Sequence, residues 1–399
     1  MSENQKKKKK TSPLRIAAGV ILFLLLFYAV SSADNYLTTI PHFKDYNALW
    51  TKDGKSVVFT RWYLPLPGKP DYFEIIKTGR EGGKGEVLFK SQPGYNVFNI
   101  RRIQLSNDGT YLNIRLNKQQ SDYIHDFLYK IPLDKTGKTE SWELEKKHLF
   151  DIFLAFHDDK AIVRKMTEDG KVAASILQIC NFSDRKVLQE IPYKNRNIVC
   201  VYADFYGNDD KPIFLNRISN NGDVSDSINQ MIVPDAEKTF NMKIFPFDIL
   251  YLPKEEMFVG IDMSSSHILH LMDIKTGDVK TMENPGGNDS QVSLSVSSDK
   301  SELLIGNSDN IFRINPVNGA ALKLKLSTCI DGPIQESPDG KTYLYSNGTS
   351  IYTINRDGSD FRQITELSPL AEMMKNNAYR SYMEKRNILI HYATEGDHH

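Results

Sequence analysis

Cysteine is scarce in this chain: three in 399 residues, at positions 180, 200 and 329. A scaffold stapled by disulfides is excluded, so the fold must rest on a core. An odd count leaves at least one thiol unpaired; Cys180 and Cys200 lie in neighbouring expected strands, and their spacing allows a bridge without requiring one. An excess of either charge is also missing, with 50 basic and 50 acidic side chains. Residues 1–33 carry six of the basic ones (Lys6 to Lys10 and Arg15) against Glu3 alone, so the rest holds 44 basic and 49 acidic groups. A body with that balance offers no basic footprint for nucleic acid. Helical periodicity is almost absent after residue 33, which turns attention to strands.

Only one long apolar run exists, the 15 residues from Ile16 to Val30, directly after five lysines and the stretch "TSPLR". Apolar side chains are stabilised in lipid, and the lysines hold the N-terminus on the cytoplasmic side. The run is short for a full span and long for a signal core. Small residues at Ser31 to Ala33 suit a signal peptidase. The expectation is a single-pass anchor over residues 1–33 with the body outside the cytoplasm; the alternative is secretion after cleavage near Ala33.

What the body does contain is a repeat. "SPDGKTYLYSN" from Ser337 puts a Pro-Asp-Gly turn before an alternating aromatic strand. "LWTKDGKSVVFT" from Leu49, "QLSNDGTYLNIR" from Gln104 and "VSSDKSELLIG" from Val296 repeat it, and weaker copies start at Phe156, Tyr206 and Tyr251. The turns fall near residues 53, 108, 158, 209, 254, 299 and 339, a period of 40 to 55 residues. That is the length of one four-stranded propeller blade. Asp accepts from its own following backbone and Gly takes positive φ at no steric cost, so Asp53-Gly54, Asp108-Gly109 and Asp339-Gly340 read as structural turns and not as sites. Third and fourth strands follow, best seen in "SIYTINRDGSDFRQIT" from Ser350. One blade cannot bury both its faces, whereas a ring of them can. The expected fold is all-β, a propeller of seven or eight blades over residues 34–399, with repeats starting near 46, 97, 150, 197, 245, 290 and 331. An eighth, split blade would pair residues 35–40 with 379–393.

The stretch "SPDGKTYLYSNGTSIYTINRDGSDFRQIT", Ser337 to Thr365, resembles the TolB-like, WD-like propeller repeat of bacterial exported proteins. The resemblance is good in the last repeat, fair in the first, second and sixth, and poor in the third to fifth. It implies a propeller at the bacterial envelope, in the periplasm. It implies no chemistry, because the motif is a turn and a strand. Nothing here resembles the α/β domain that precedes the propeller in TolB, so that protein's partner role is not carried over.

Catalytic and cofactor signatures are missing. There is no G-x-S-x-G elbow, no phosphate loop and no H-E-x-x-H. His267 and His270 sit three apart on an expected strand, on opposite faces, and cannot share an ion locally. His42, His125, His157 and His391 are scattered. "NDD" at Asn208 to Asp210 lacks the calcium-loop pattern. Asp397, His398 and His399 read as a tail. No catalytic residue, metal ligand or cofactor is therefore expected. The expected function is a non-catalytic scaffold for an envelope protein or glycan; the alternative is a propeller enzyme, a polysaccharide lyase or hydrolase with an axial active site. The candidate interaction loop is "RWYLPLPGKPDY", with Arg61, Trp62, Tyr63, Leu64, Leu66 and Tyr72, because prolines stiffen it and aromatic and Arg side chains dominate interfaces.

Overall fold

The computed structural model describes residues 42–64, 69–120, 123–134, 136–144, 151–166, 175–193, 198–206, 211–220, 223–242, 246–262, 268–287 and 292–375. The anchor segment, both halves of the expected split blade, Leu66, the Asn208–Asp210 turn, His267 and the last three residues lie outside them. No helix among the described residues is long and apolar enough to cross a membrane.

Among the described residues, twenty-eight strands form seven four-stranded antiparallel sheets, each built from four consecutive strands. Blade 1 is β1 (Phe43–Trp50), β2 (Ser56–Tyr63), β3 (Tyr72–Gly79) and β4 (Gly82–Lys90). Blade 2 is β5 (Ile100–Leu105), β6 (Tyr111–Gln120), β7 (Tyr123–Pro132) and β8 (Glu140–Glu143). Blades 3 and 4 run from β9 (Ile152–His157) to β12 (Val187–Tyr193) and from β13 (Ile198–Tyr206) to β16 (Lys238–Met242). Blades 5 and 6 run from β17 (Pro246–Leu252) to β20 (Val279–Glu283) and from β21 (Val292–Val296) to β24 (Ala321–Lys325). Blade 7 runs from β25 (Gln335–Glu336) through β26 (Thr342–Ser346) and β27 (Ile351–Asn355) to β28 (Arg362–Gln363). Each expected turn falls between the first and second strand of a blade.

The core lies between blades, not within them. Alternate side chains of a strand point to opposite faces, so one strand serves two interfaces. In blade 3, Ala161 and Val163 join the cluster with Leu128 and Trp142 of blade 2, while Ile162 joins the cluster with Ala203 and Phe214 of blade 4. Further clusters bind blades 4 to 5, 5 to 6 and 6 to 7. Between blades 1 and 2 the contact is aromatic, with Phe89 and Tyr129 ring centroids 5.0 Å apart.

The ring closes with seven blades. Val57 and Phe59 of blade 1 share a buried cluster with Leu344, Ile351 and Ile364 of blade 7. Ser346 Oγ donates to Asp45 O at 2.7 Å, and Trp50 N donates to Gln335 Oε1 at 3.3 Å. Blade 7 thus packs directly on blade 1, which fills the place an eighth blade would take. The innermost strands of blades 1 to 5 each carry a register shift against their neighbour. Such bulges bend and twist a strand and re-aim single side chains.

A second compact unit includes, among the described residues, His42, Leu64, Lys69, Pro70 and the stretch from Ser368 to Lys375. Its described part contains helix α1 (Pro369–Met374), started by Ser368, whose hydroxyl accepts from Ala371 N. Ser368 Oγ also lies 2.8 Å from His42 Nδ1. The cysteines do not pair: Cys180 is buried between blades 2 and 3, Cys200 between blades 3 and 4, and Cys329 is exposed. Burial pushes the Cys180 thiol up to about 11.

Candidate interaction surface

The Asp-Gly turns are hinges with a common chemistry. Gly54, Gly109 and Gly340 have φ of +67°, +77° and +71°. Two residues before each Asp stands a Ser or Thr whose hydroxyl donates to the carboxylate: Thr51 to Asp53 at 2.7 Å, Ser106 to Asp108 at 2.6 Å and Ser337 to Asp339 at 2.5 Å. The same carboxylates accept from backbone N–H groups two residues on, at Lys55, Thr110 and Lys341. These bonds favour the charged form and hold the Asp108 and Asp339 carboxyls at about 2. Neighbouring turns are also tied together around the ring: Lys52 Nζ donates to Asn107 O at 2.7 Å, and Asn107 N to Asp158 Oδ1 at 2.8 Å.

Four of the six candidate-loop residues lie in strands. Arg61, Trp62 and Tyr63 end strand β2, and Tyr72 begins β3, directly opposite Tyr63. The connection therefore starts later than its composition suggests. Strand alternation divides its residues between two faces of blade 1. Arg61 and Tyr63 face blade 7, and Trp62 faces blade 2. Leu64 is buried, and its N–H donates to His42 O at 3.0 Å.

On the blade 7 side, the register places Asp45, Arg61, Glu74 and Lys90 in one row across the four strands, with charge alternating in sign. Arg61 Nε donates to Asp45 Oδ1 at 2.8 Å, and its Nη1 reaches Glu366 of blade 7 at 3.2 Å. Lys90 Nζ lies 3.3 Å from Glu74. Desolvation raises the fully buried Asp45 carboxyl above its ordinary value, and Arg61 opposes that shift. The next row stacks Tyr63 on Tyr72, centroids 4.6 Å apart, and the Tyr63 hydroxyl donates to Glu74 at 3.2 Å. Burial and the Glu74 charge push the Tyr63 phenol up. Arg61, Tyr63, Glu74, Thr78, Val87 and Glu366 line a cleft of about 540 Å³. It opens because β28 is two residues long and leaves the outer half of blade 1 uncovered. Of the charged groups that line it, Arg61 is bonded to Glu366, and Glu74 to Lys90.

On the blade 2 side, Trp62 is only 7% exposed, which removes it as a directly presented anchor. It supports another ring. A 3-10 helix, Val97–Asn99, leads into β5, and Phe98 on it meets the Trp62 ring edge-on, with centroids 5.2 Å apart. Phe98 is 59% exposed. The turn beneath it is fixed by a reciprocal cap: Asn96 Oδ1 accepts from Phe98 N at 3.1 Å, and Asn99 Oδ1 accepts from Asn96 N at 2.9 Å. Asn99 Nδ2 donates onward to Asn117 O at 3.0 Å. Sequence reasoning passed over Phe98; its signal is the pair of asparagines three apart around Val97 and Phe98, a capping pattern.

The axis offers a strut. Arg102 of β5 lies 2.5 Å from Asp204 of β13, so blades 2 and 4 are joined across the inner strand of blade 3. Gln104 Nε2 donates to Phe156 O of that strand at 2.5 Å. The described histidines do not converge: His42 meets Ser368, His125 meets Glu143 and His157 lies beside Asp158. Among the described residues no three His, Cys, Asp or Glu side chains are placed to hold a metal ion.

No protein-family model matches the chain, and no curated protein does. Among solved structures it is similar to a chain from a crystal structure of the mitotic checkpoint complex. That likeness has 11% identity and a TM-score of 0.48, over 75% of this chain and 83% of the other. A match at that level carries no functional argument. The propeller is established by its own strand pairing and blade packing.

Proposed function

We propose that this chain is a non-catalytic binding scaffold of the cell envelope, a TolB-like propeller held outside the cytoplasm by its N-terminal segment. The anchor reading rests on the five lysines followed by the apolar run Ile16 to Val30. The binding reading rests on one observation: Phe98 is largely exposed while its turn is locked by the Asn96–Asn99 cap and its ring is seated on buried Trp62. An aromatic group ordered before binding loses little entropy on contact, which is how interface anchors act. Propellers commonly serve as protein-binding scaffolds, and a protein partner fits a single projecting ring; an envelope glycan is the other partner class.

Two experiments test this. Benzoylphenylalanine placed at position 98 in the membrane-bound protein should crosslink a partner, and Phe98→Ala should abolish co-purification of that partner. A crosslink-free surface in cells would sink the binding reading. Protease protection should place the body outside the cytoplasm; digestion from the cytoplasmic side would overturn the topology.

A further inference from the structure

Phe98 stands beside an open strand edge. The 3-10 helix that carries it packs against β6, and Asn99 Nδ2 donates to Asn117 O at 3.0 Å. We propose that this edge takes an extended segment of a partner protein, added as a strand along β6 with an apolar side chain packed on Phe98. The inference rests on the binding reading above and deepens it by naming the form of the partner.

The inner strand β5 pairs with β6 only as far as Ile100 opposite Leu116. Past that point β6 and β7 continue as a two-stranded ribbon, from Asn117 opposite Asp126 to Gln120 opposite Tyr123. Those four pairs project roughly 13 Å. In the other blades at most two pairs pass the inner strand among the described residues. In an antiparallel strand the N–H and C=O of one residue point to one side, and those of the next residue to the other. Asn117 O points to the β5 side, where it accepts from Asn99. Gln119, two residues on, therefore turns its N–H and C=O to that same side, and no described strand meets them. The ribbon's other edge lies on the β8 side, away from Phe98, where Leu144 N donates to Asp126 O at 3.0 Å.

Native proteins blunt open edges with prolines, bulges or outward lysines. Past Leu116, β6 contains no proline and no register shift against β7. Its single lysine there, Lys118, is drawn onto the Tyr95 ring, with Nζ 4.3 Å from the ring centre. The edge is thus left open next to an exposed ring whose own turn is locked. An extended peptide is the partner form that satisfies backbone donors and acceptors and an apolar contact together. Main-chain bonds then supply affinity, and the side chain on Phe98 supplies selectivity.

The test pans a phage library of random dodecapeptides on the full chain in detergent micelles and synthesises the strongest binder. Single N-methyl groups are then placed along that peptide, each removing one N–H. Affinity should fall at least about tenfold at alternate residues of the paired stretch and little at those between, because alternate residues of an added strand face the edge. Phe98→Ala should weaken the unmodified peptide by a similar factor. Gln119→Pro should do the same, since it removes an N–H of the edge and none of the β7 ladder. Unchanged circular dichroism and melting temperature will show that the variants fold; the methylation series leaves the protein untouched.

No selected binder, a methylation series without that alternation, or indifference to Phe98→Ala would each overturn the proposal. A dimer that pairs two β6 edges and excludes the peptide would overturn it too. The crosslink at position 98 separates this from the scaffold reading. A crosslinked glycan, or a crosslinked protein that the selected peptide does not displace, leaves the scaffold standing and removes strand addition.

Discussion

Arg61 and Asp45 face each other across β1 and β2, Nε to Oδ1 at 2.8 Å, and Asp45 has no exposure to solvent. A carboxylate so placed is tolerable only while its counter-charge stays. Arg61→Ala should therefore destabilise the propeller by about 3–5 kcal/mol, because it strands a buried charge. The double variant Asp45→Asn, Arg61→Met should recover most of that loss. Urea denaturation of the three proteins checks it, and a double variant as unstable as the single one would refute the account.

Gly340 sits at φ +71° in the turn between β25 and β26. Any side chain there meets the following carbonyl, so Gly340→Ala should cost about 1–2 kcal/mol. Gly82 is more demanding. A Cβ at Gly82 would lie 2.5 Å from Ile364 O, where blade 7 closes on blade 1. Gly82→Ala should loosen that seam, and hydrogen exchange should rise first at β26 and β27. Uniform exchange around the ring would contradict this.

These two glycines also mark what was legible in the sequence. The ring was legible because a local device, Ser or Thr, then Asp and Gly, recurs at Thr51, Ser106 and Ser337. Where the glycine is replaced the geometry persists: Asp158, Glu256 and Lys300 take the positive φ at 49°, 49° and 56°. The candidate site was less legible because it depends on non-local facts. β2 continues through Tyr63 only because Tyr72 returns to pair with it, and that pairing sends Arg61 and Trp62 to opposite faces. The role of Gly82 depends on Ile364, almost three hundred residues away. Phe98 gains its importance from what lies beneath it, Trp62 of another blade.

Acid should weaken the turns in a defined window. The Ser106 and Ser337 hydroxyls and nearby N–H groups hold the Asp108 and Asp339 carboxyls at about 2, below an unfolded value of about 3.9. A carboxyl depressed in the folded state stabilises the fold above its unfolded pKa, and that contribution is lost as pH falls through the folded value. The stability difference between wild type and Asp339→Asn should be constant from about pH 7 to pH 5 and shrink between about pH 4 and pH 2. A difference that grows in that interval would have the wrong sign for this mechanism.

Trp62 and Phe98 should separate stability from binding. Trp62 is buried and donates to Asp71, so Trp62→Ala removes core volume and strands a polar group, a loss of about 3–5 kcal/mol. Phe98 is mostly exposed, so Phe98→Ala should change stability by less than about 1 kcal/mol. If Phe98 is the anchor, its removal abolishes partner capture from a protein that melts normally. Trp62→Phe is the informative intermediate: it keeps a ring under Phe98 but loses the bond to Asp71, so capture should weaken without vanishing. Melting curves and capture measured on the same preparations decide between the roles. Loss of capture that tracks melting temperature across all three variants would mean that the surface responds to folding alone and that Phe98 is not the contact.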